Sequence, residues 1–454
     1  MTRRSLLSLP FLAPSRRNIL LIVADDMNND LACYGDPVAR TPALDRLARR
    51  GVVFDRAYCQ YPLCQPSRTS FLSGKNPENT KVWTLQTPTR RHLGDAVMLP
   101  ELFRKNGYFS AHAGKIFHTG EHAEDPHSWD EEFREFGKNP PPDQVLREDR
   151  SPGPRGHSFA WQMLKTRDED TPDGMVARKT VGWLEQCARQ SKPFFIGCGF
   201  RRPHSPYSAP KRYFDLYPPG ELRLPEDPPS HYDKLLPAAI NHDAPAPPLS
   251  VKTIREHLAA YYAVTSFMDA QVGVVLDSLD RLKLWESTVV VFLGDHGYHL
   301  GDHGGLWHKS TLFERACRVP LLVAAPGARG AGRSTRALTE LIDLYPSLAA
   351  QCGVKPPAGL DGRDFTAVLN DPAREFKKAA YSMVGRGEER AESVKEIKFT
   401  GRTVRTDRWR YTEWDGGRQG VELYDHRAGA RELVNLAADP ALKGIRAEHA
   451  RLLR

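Results

Sequence analysis

Five runs of aliphatic, β-branched and aromatic residues punctuate an otherwise polar chain: Ile19–Val23, Tyr108–Ala113, Pro193–Phe200, Ser287–Leu293 and Pro320–Ala325. Their apolar continuity predicts strands covered on both faces, as in a parallel sheet. Helical patterns lie between them. One has Thr41 as N-cap, Pro42 in first position, Leu44 and Leu47 on one face and Gly51 as the stop. Others centre on Pro100–Arg104, Met175–Cys187 and Ile254–Leu282. Strands alternating with helices predict an α/β fold, a large mostly parallel sheet flanked by helices.

Four of the strands discharge polar residues where they end: Asp25-Asp26, Gly114-Lys115-Ile116-Phe117-His118, Arg201-Arg202-Pro203-His204 and Gly294-Asp295-His296-Gly297. In open α/β sheets that edge binds ligands. A glycine- and histidine-rich loop, Gly301 to Lys309, follows the last of these. From Asp125 to Arg155 the chain is polar and proline-rich, which predicts a surface loop. Between Pro203 and Pro248 prolines are dense enough to forbid regular structure, and a loop of that length predicts a wall of the substrate pocket. Beyond Gly362 the pattern changes: Thr403–Thr406, Trp409–Trp414 and Glu422–Asp425 alternate as antiparallel strands, with a helix closing the chain. The expected organisation is a leader over 1–17, a catalytic α/β domain over 18–360, and over 361–454 a smaller C-terminal α+β subdomain containing an antiparallel sheet.

Composition changes this picture little. The 454 residues carry 26 % charged side chains and a net charge of +8, which suits an anionic partner, but no clustered basic motif of a nucleic-acid binder is present. Seven cysteines without metal-type spacing do not form a disulfide framework. Arg3-Arg4 followed by a short apolar run reads as a twin-arginine or secretory signal, hence a periplasmic or extracellular protein. No apolar stretch approaches the roughly 20 residues that cross a bilayer.

The chemistry gathers around Cys64-Gln65-Pro66-Ser67-Arg68, continuing to Leu72-Ser73-Gly74. A cysteine, a rigid proline, a hydroxyl and an arginine present one reactive group beside a fixed cation, with a short helix behind. Asp25, Asp26 and Asp295 converge on the sheet edge, where carboxylates about 4 Å apart repel by about 4 kcal/mol at an effective dielectric near 20. A cation must sit among them, and oxygen ligation favours a hard one, Ca2+ or Mg2+. His296 can add a nitrogen.

C-x-P-S-R followed by L-S-G, with the segments at Asn18–Asp26, Gly114–His118, Arg202–His204, Asp295–Gly297, Trp307–Lys309 and Arg405–Tyr411, resembles the type I sulfatases of the alkaline-phosphatase superfamily, and among them the iduronate-2-sulfatases. The resemblance implies an alkaline-phosphatase-like fold and oxidation of Cys64 to formylglycine by a maturation enzyme. It implies a divalent cation, Ca2+ before Mg2+, held by Asp25, Asp26, Asp295, His296 and residue 64. Arg68 and Lys115 would hold the formylglycine diol and His118 would take its proton. His204 and Lys309 would contact sulfate and leaving oxygen. The implied substrate is a sulfated carbohydrate, a 2-O-sulfated hexuronate, cleaved with the help of extra cations such as Arg201 and Arg202. Another sulfated sugar, choline sulfate, a phosphonate or phosphate monoester, and non-catalytic glycan binding remain open alternatives.

Overall fold

The computed structural model describes residues 16–454 apart from 121–122, 136–139, 153–157, 229, 241–248 and 391–392. Most of the leader, and parts of the Asp125–Arg155 and Pro203–Pro248 stretches, lie outside the described residues. No helix among the described residues is long and apolar enough to cross a membrane.

Eight strands form the central sheet: β1 (Asn18–Asp25), β2 (Val52–Phe54), β3 (Phe109–Gly114), β4 (Glu131–Phe133), β5 (Phe194–Pro203), β6 (Thr288–Gly294), β7 (Leu321–Ala324) and β8 (Arg333–Thr335), ordered β8-β2-β7-β6-β1-β5-β3-β4. β6, β1, β5, β3 and β4 run parallel. β7 runs against both neighbours, and β2 and β8 restore the direction of β1.

The apolar continuity of β1 has a direct cause. Ile19, Leu21 and Val23 enter one core, with Phe71 and Leu72, while Leu20, Ile22 and Ala24 enter the other, with Leu44, Leu47 and Val272. Successive side chains point to opposite faces, so a strand covered on both can hold nothing polar until it ends. The second core is roofed by helices α1 (Pro42–Arg50), α3 (Pro172–Gln190) and α4 (Val251–Arg281); α2 (Cys64–Ser73) lies under the first. Thr41 makes no cap of α1 with its side chain. The carboxylate of buried Asp269, on α4, accepts from the N–H groups of Ala43 and Leu44 instead.

The stretch expected to be loop from Asp125 to Arg155 contains structure. β4 closes one sheet edge, and Val145–Pro152 pairs with Ser158–Leu164, which in turn pairs with Tyr207–Pro210. Val145-Leu146-Arg147-Glu148-Asp149-Arg150 is an outer strand whose apolar content is too low to mark it, since Leu146 is exposed. The Pro203–Pro248 stretch is irregular where described, apart from Tyr207–Pro210, the short helix Lys211–Phe214 and single turns. Beyond residue 362, four antiparallel strands, β9 (Ala380–Arg390), β10 (Ser393–Arg405), β11 (Trp409–Trp414) and β12 (Val421–Asp425), form a separate sheet, and a helix at Lys443–Leu452 follows.

Candidate active site

The site opens where β1, β5 and β6 end. Adjacent strand residues normally face opposite ways, yet Asp25 and Asp26 enter one cluster. The pairing of β1 with β5 slips between Ala24 and Asp25, and Asp26 leaves the strand with φ +62°. This bend turns both carboxylates to the same side. Tyr261, from α4, donates to the Asp26 carbonyl at 2.9 Å. The carboxylate of Asp295, the residue after β6, accepts from the N–H groups of Asp26 at 3.1 Å and His296 at 3.0 Å. Gly297 must be glycine, because a side chain there would meet the Arg315 carbonyl.

Cys64 is the first residue of α2 and wholly buried. Its Sγ lies 3.3 Å from His296 Nε2, 3.5 Å from Lys309 Nζ and 4.0 Å from Asp26 Oδ1. Burial, then the charge of Asp25, pushes its thiol well above the ordinary range despite nearby Lys115 and Lys309. A thiol held neutral is a poor nucleophile. One helical turn on, Arg68 makes four hydrogen bonds: Nε meets Asp295 Oδ2 at 2.9 Å, one amino group meets Asp25 Oδ1 at 3.3 Å, and the other meets the carbonyls of Lys115 and Ile116. It is a strut tying three strand ends together.

Lys115 pairs with Asp25, and Lys309 lies 2.5 Å from Asp26 Oδ1. Burial works to raise the Asp25 carboxyl, but Lys115, His204, Arg68 and Lys309 together hold it well below the usual range. Asp26 is likewise lowered against its burial, chiefly by Lys309. Asp295 is not: burial raises it even with Arg68 alongside.

The remaining candidates also converge. His204 Nε2 stands 3.9 Å from Asp26 Oδ2. His118 feels the charges of Lys115, Asp25, Arg68 and His204, and burial followed by Lys115 holds its imidazole well below the ordinary range, hence neutral. Its Nδ1 has no hydrogen-bond partner among the described residues. Arg202 does not reach into the site as a free cation. Its Nε donates to the Ser208 carbonyl at 3.0 Å and an amino group to that of His204 at 2.7 Å. It shapes the turn that presents His204, and buried Asp173 accepts from the backbone N–H groups of both Arg201 and Arg202.

With this arrangement in place, comparison with known proteins is decisive. The sulfatase family profile matches residues 17–354, and that of the C-terminal part of N-sulphoglucosamine sulphohydrolase matches residues 301–454. The chain belongs to the sulfatase family. It is a sulfuric ester hydrolase of mixed α/β, alkaline-phosphatase-like fold. It is 31 % identical to iduronate 2-sulfatase of Mus musculus over 88 % of this chain and 85 % of the relative. Among solved structures, the phosphonate monoester hydrolase of Agrobacterium radiobacter superposes with a TM-score of 0.81 at 23 % identity, covering 96 % of this chain and 95 % of the other. A 2-O GAG sulfatase does so with 0.74 at 23 %, covering 96 % and 91 %. At that identity the superpositions speak for the fold.

The donor set of this sulfatase fits a divalent cation. One atom each from Asp25, Asp26, Cys64 and His296 lie within 4.8 Å of one another, all buried. His296 Nδ1 is 2.9 Å from the Gly297 carbonyl, to which it donates, so Nε2 offers its lone pair to the common point. Asp295 stands beside these four, its Oδ1 3.7 Å from His296 Nε2. Ser67, the hydroxyl of the Cys64 motif, bonds to the Asp295 carbonyl, and Tyr298 bonds to His308; sequence reasoning missed Tyr261 under Asp26 and Tyr207, which bonds to Tyr298. Nothing in their spacing signals a role, since each acts through tertiary contact.

Proposed function

We propose that this sulfatase removes the 2-O-sulfate of a hexuronate at the non-reducing end of a glycosaminoglycan-like oligosaccharide. The observation that carries the substrate is the near full-length likeness to iduronate 2-sulfatase. The cations ranged around Cys64 suit an anionic ester. Cys64 Sγ marks where an oxygen of the formylglycine hydrate would stand, and that hydroxyl attacks sulfur as the bond from sulfur to the sugar oxygen breaks. A divalent cation on Asp25, Asp26, Asp295 and His296 would supply charge stabilisation and a lower pKa for the attacking group.

The chain's own residues do the rest. Lys309 and Lys115 face the charge on the sulfuryl oxygens, fixed in advance by Asp26 and Asp25. His204 hands a proton to the departing sugar oxygen. His118, buried and neutral, accepts the proton of the second hydroxyl on residue 64, so that sulfate leaves and the aldehyde returns.

The test compares kcat/KM on a 2-O-sulfated uronate disaccharide, its carboxylate-reduced analogue, choline sulfate, an aryl sulfate and a phosphonate monoester. Preference for the uronate by at least tenfold is expected. Equal rates on the reduced sugar would remove the uronate assignment and leave the sulfatase intact.

A further inference from the structure

A second concentration of basic side chains lies away from the catalytic centre, at the carboxyl ends of β2 and β8. There a cleft of about 600 Å3 is lined by six basic and three acidic side chains. Most of its charges are already matched. Arg56 pairs with Asp407 at 2.7 Å, Lys378 with Glu375, and Lys377 with Glu340 and Asp343 behind the wall. What remains is Arg333, Arg336 and Arg374, all exposed, none of which makes an ion pair among the described residues. They come from two segments, the edge strand and the 372–378 loop, and face one half-buried acid, Asp55. Burial raises the Asp55 carboxyl, while Arg318 and Arg336 pull it the other way.

The topology gives this surplus a direction. β8 runs parallel to β1, so the cleft opens on the same sheet edge as Asp25, Asp26 and Asp295. Four strand steps separate β8 from β1, about 19 Å at the usual spacing. A guanidinium fork matches a sulfate or carboxylate with two parallel hydrogen bonds. Three forks in one cleft match a chain bearing such groups at intervals.

We propose that this cleft is an exosite for the anionic oligosaccharide chain behind the sugar being cleaved, holding its internal sulfates and carboxylates on Arg333, Arg336 and Arg374. The inference rests on the glycan reading of the catalytic site and adds that chain length is read at a distance from the chemistry. A monosaccharide or disaccharide substrate does not reach it.

The experiment uses the full chain and the triple variant R333S/R336S/R374S, whose exposed positions leave the core untouched, with a triple lysine variant as the charge-retaining control. Calorimetric binding of a sulfated octasaccharide that lacks the 2-O-sulfate at its non-reducing end reads the exosite without turnover. The serine variant is expected to bind at least tenfold more weakly, with a flatter salt dependence, and the lysine variant to fall between. On substrates, KM for the octasaccharide that carries this 2-O-sulfate is expected to rise at least tenfold in the serine variant while kcat and all disaccharide kinetics stay unchanged. Equal octasaccharide affinity in parent and serine variant overturns the proposal, as does an equal loss on the disaccharide. Tighter binding of double-stranded DNA or of anionic phosphatidylserine vesicles than of octasaccharide, abolished by the same substitutions, overturns the glycan assignment. If the parent cleaves no uronate sulfate but binds octasaccharide through these arginines, the catalytic reading fails and the exosite stands.

Discussion

Among the described residues, two clusters hold acids and histidine close enough to bind a metal, and they are built for opposite purposes. One is Asp25, Asp26, Cys64 and His296; the other is Glu314, His426 and Glu432, where the C-terminal sheet meets the short helix Glu314–Cys317. At the junction the centre is filled by protein. Arg410, from β11, puts one amino group 2.5 Å from Glu314 Oε2 and Nε 2.6 Å from Glu432 Oε1. Tyr58 and the Glu314 N–H take the other two carboxylate oxygens, and His426 adds a contact to Glu432 at 2.8 Å. Burial would raise Glu314, but Arg405 and Arg410 hold it far below the usual range, and Arg410 lowers Glu432 against its burial too. At the catalytic edge the cations Arg68, Lys115 and Lys309 stand around the carboxylates, and Asp295 stays raised by burial. A closed charge cluster fastens two parts of a fold; an open one can take up an ion and a substrate.

The largest contrast comes from breaking the centre of each. Cys64→Ala should abolish hydrolysis of any sulfate ester and leave the melting temperature near that of the parent, because a small buried side chain is replaced by a smaller one. Turnover at the parental rate, with the parental peptide around residue 64 shown by mass to be unoxidised, would refute the role of that residue. Arg410→Met should do the reverse. It leaves Glu314 and Glu432 buried without their cation, which costs about 3–5 kcal/mol of stability, while the molecules that remain folded keep kcat/KM within a few fold. Chemical denaturation and active-site-normalised kinetics separate the two outcomes.

A smaller and more discriminating effect is expected from the cation. Ca2+ or Mg2+ at a hundredfold excess over its Kd should stabilise the parent by about 2.7 kcal/mol. Asp26→Asn should remove that gain, because it deletes a donor facing the common point with His296 and Cys64. Glu432→Gln should leave the gain intact on whatever baseline stability it has. Equal responses in both variants would mean that the two clusters are not distinguished by metal.

Much of this was legible from residue order, and the limits are physical. Period and apolar continuity disclosed β1, β3, β5 and β6, because strands covered on both faces exclude polar residues until they end; Asp25, His118, His204 and Asp295 therefore stood out at those ends. The antiparallel hairpin from Val145 to Leu164 did not, since an outer strand tolerates Arg, Glu and Asp. Nor did the bend that brings Asp25 and Asp26 together, which depends on the slip against Pro203 and on Tyr261 more than two hundred residues away. Arg202 was expected to contact substrate because its charge was visible, whereas the carbonyls of Ser208 and His204 that occupy it were not.

The last effect is the smallest and belongs to the junction side. His303 is buried, stacks on Phe313 at 4.0 Å between centroids, and lies next to Asp302 and His231. Burial pushes its imidazole down to about 4, against the pull of Asp302. The folded pKa is below the unfolded value of about 6.5, so the unfolded chain takes up a proton that the folded protein refuses. Stability from this residue is complete above pH 6.5 and is lost as pH falls toward 4. The limiting slope is about 1.4 kcal/mol per pH unit, and roughly 1 kcal/mol is expected between pH 6.5 and 5.5. Other groups titrate in the same window; Glu124, raised to about 7 by burial, acts with the opposite sign. The informative quantity is therefore the difference between parent and His303→Asn, a replacement that tolerates the positive φ of +54° at this position. Denaturation midpoints of the two proteins should converge as pH is lowered if His303 gives the parent its advantage at neutral pH. Curves that stay parallel from pH 7 to 5 would show that His303 gains and loses its proton alike in both states.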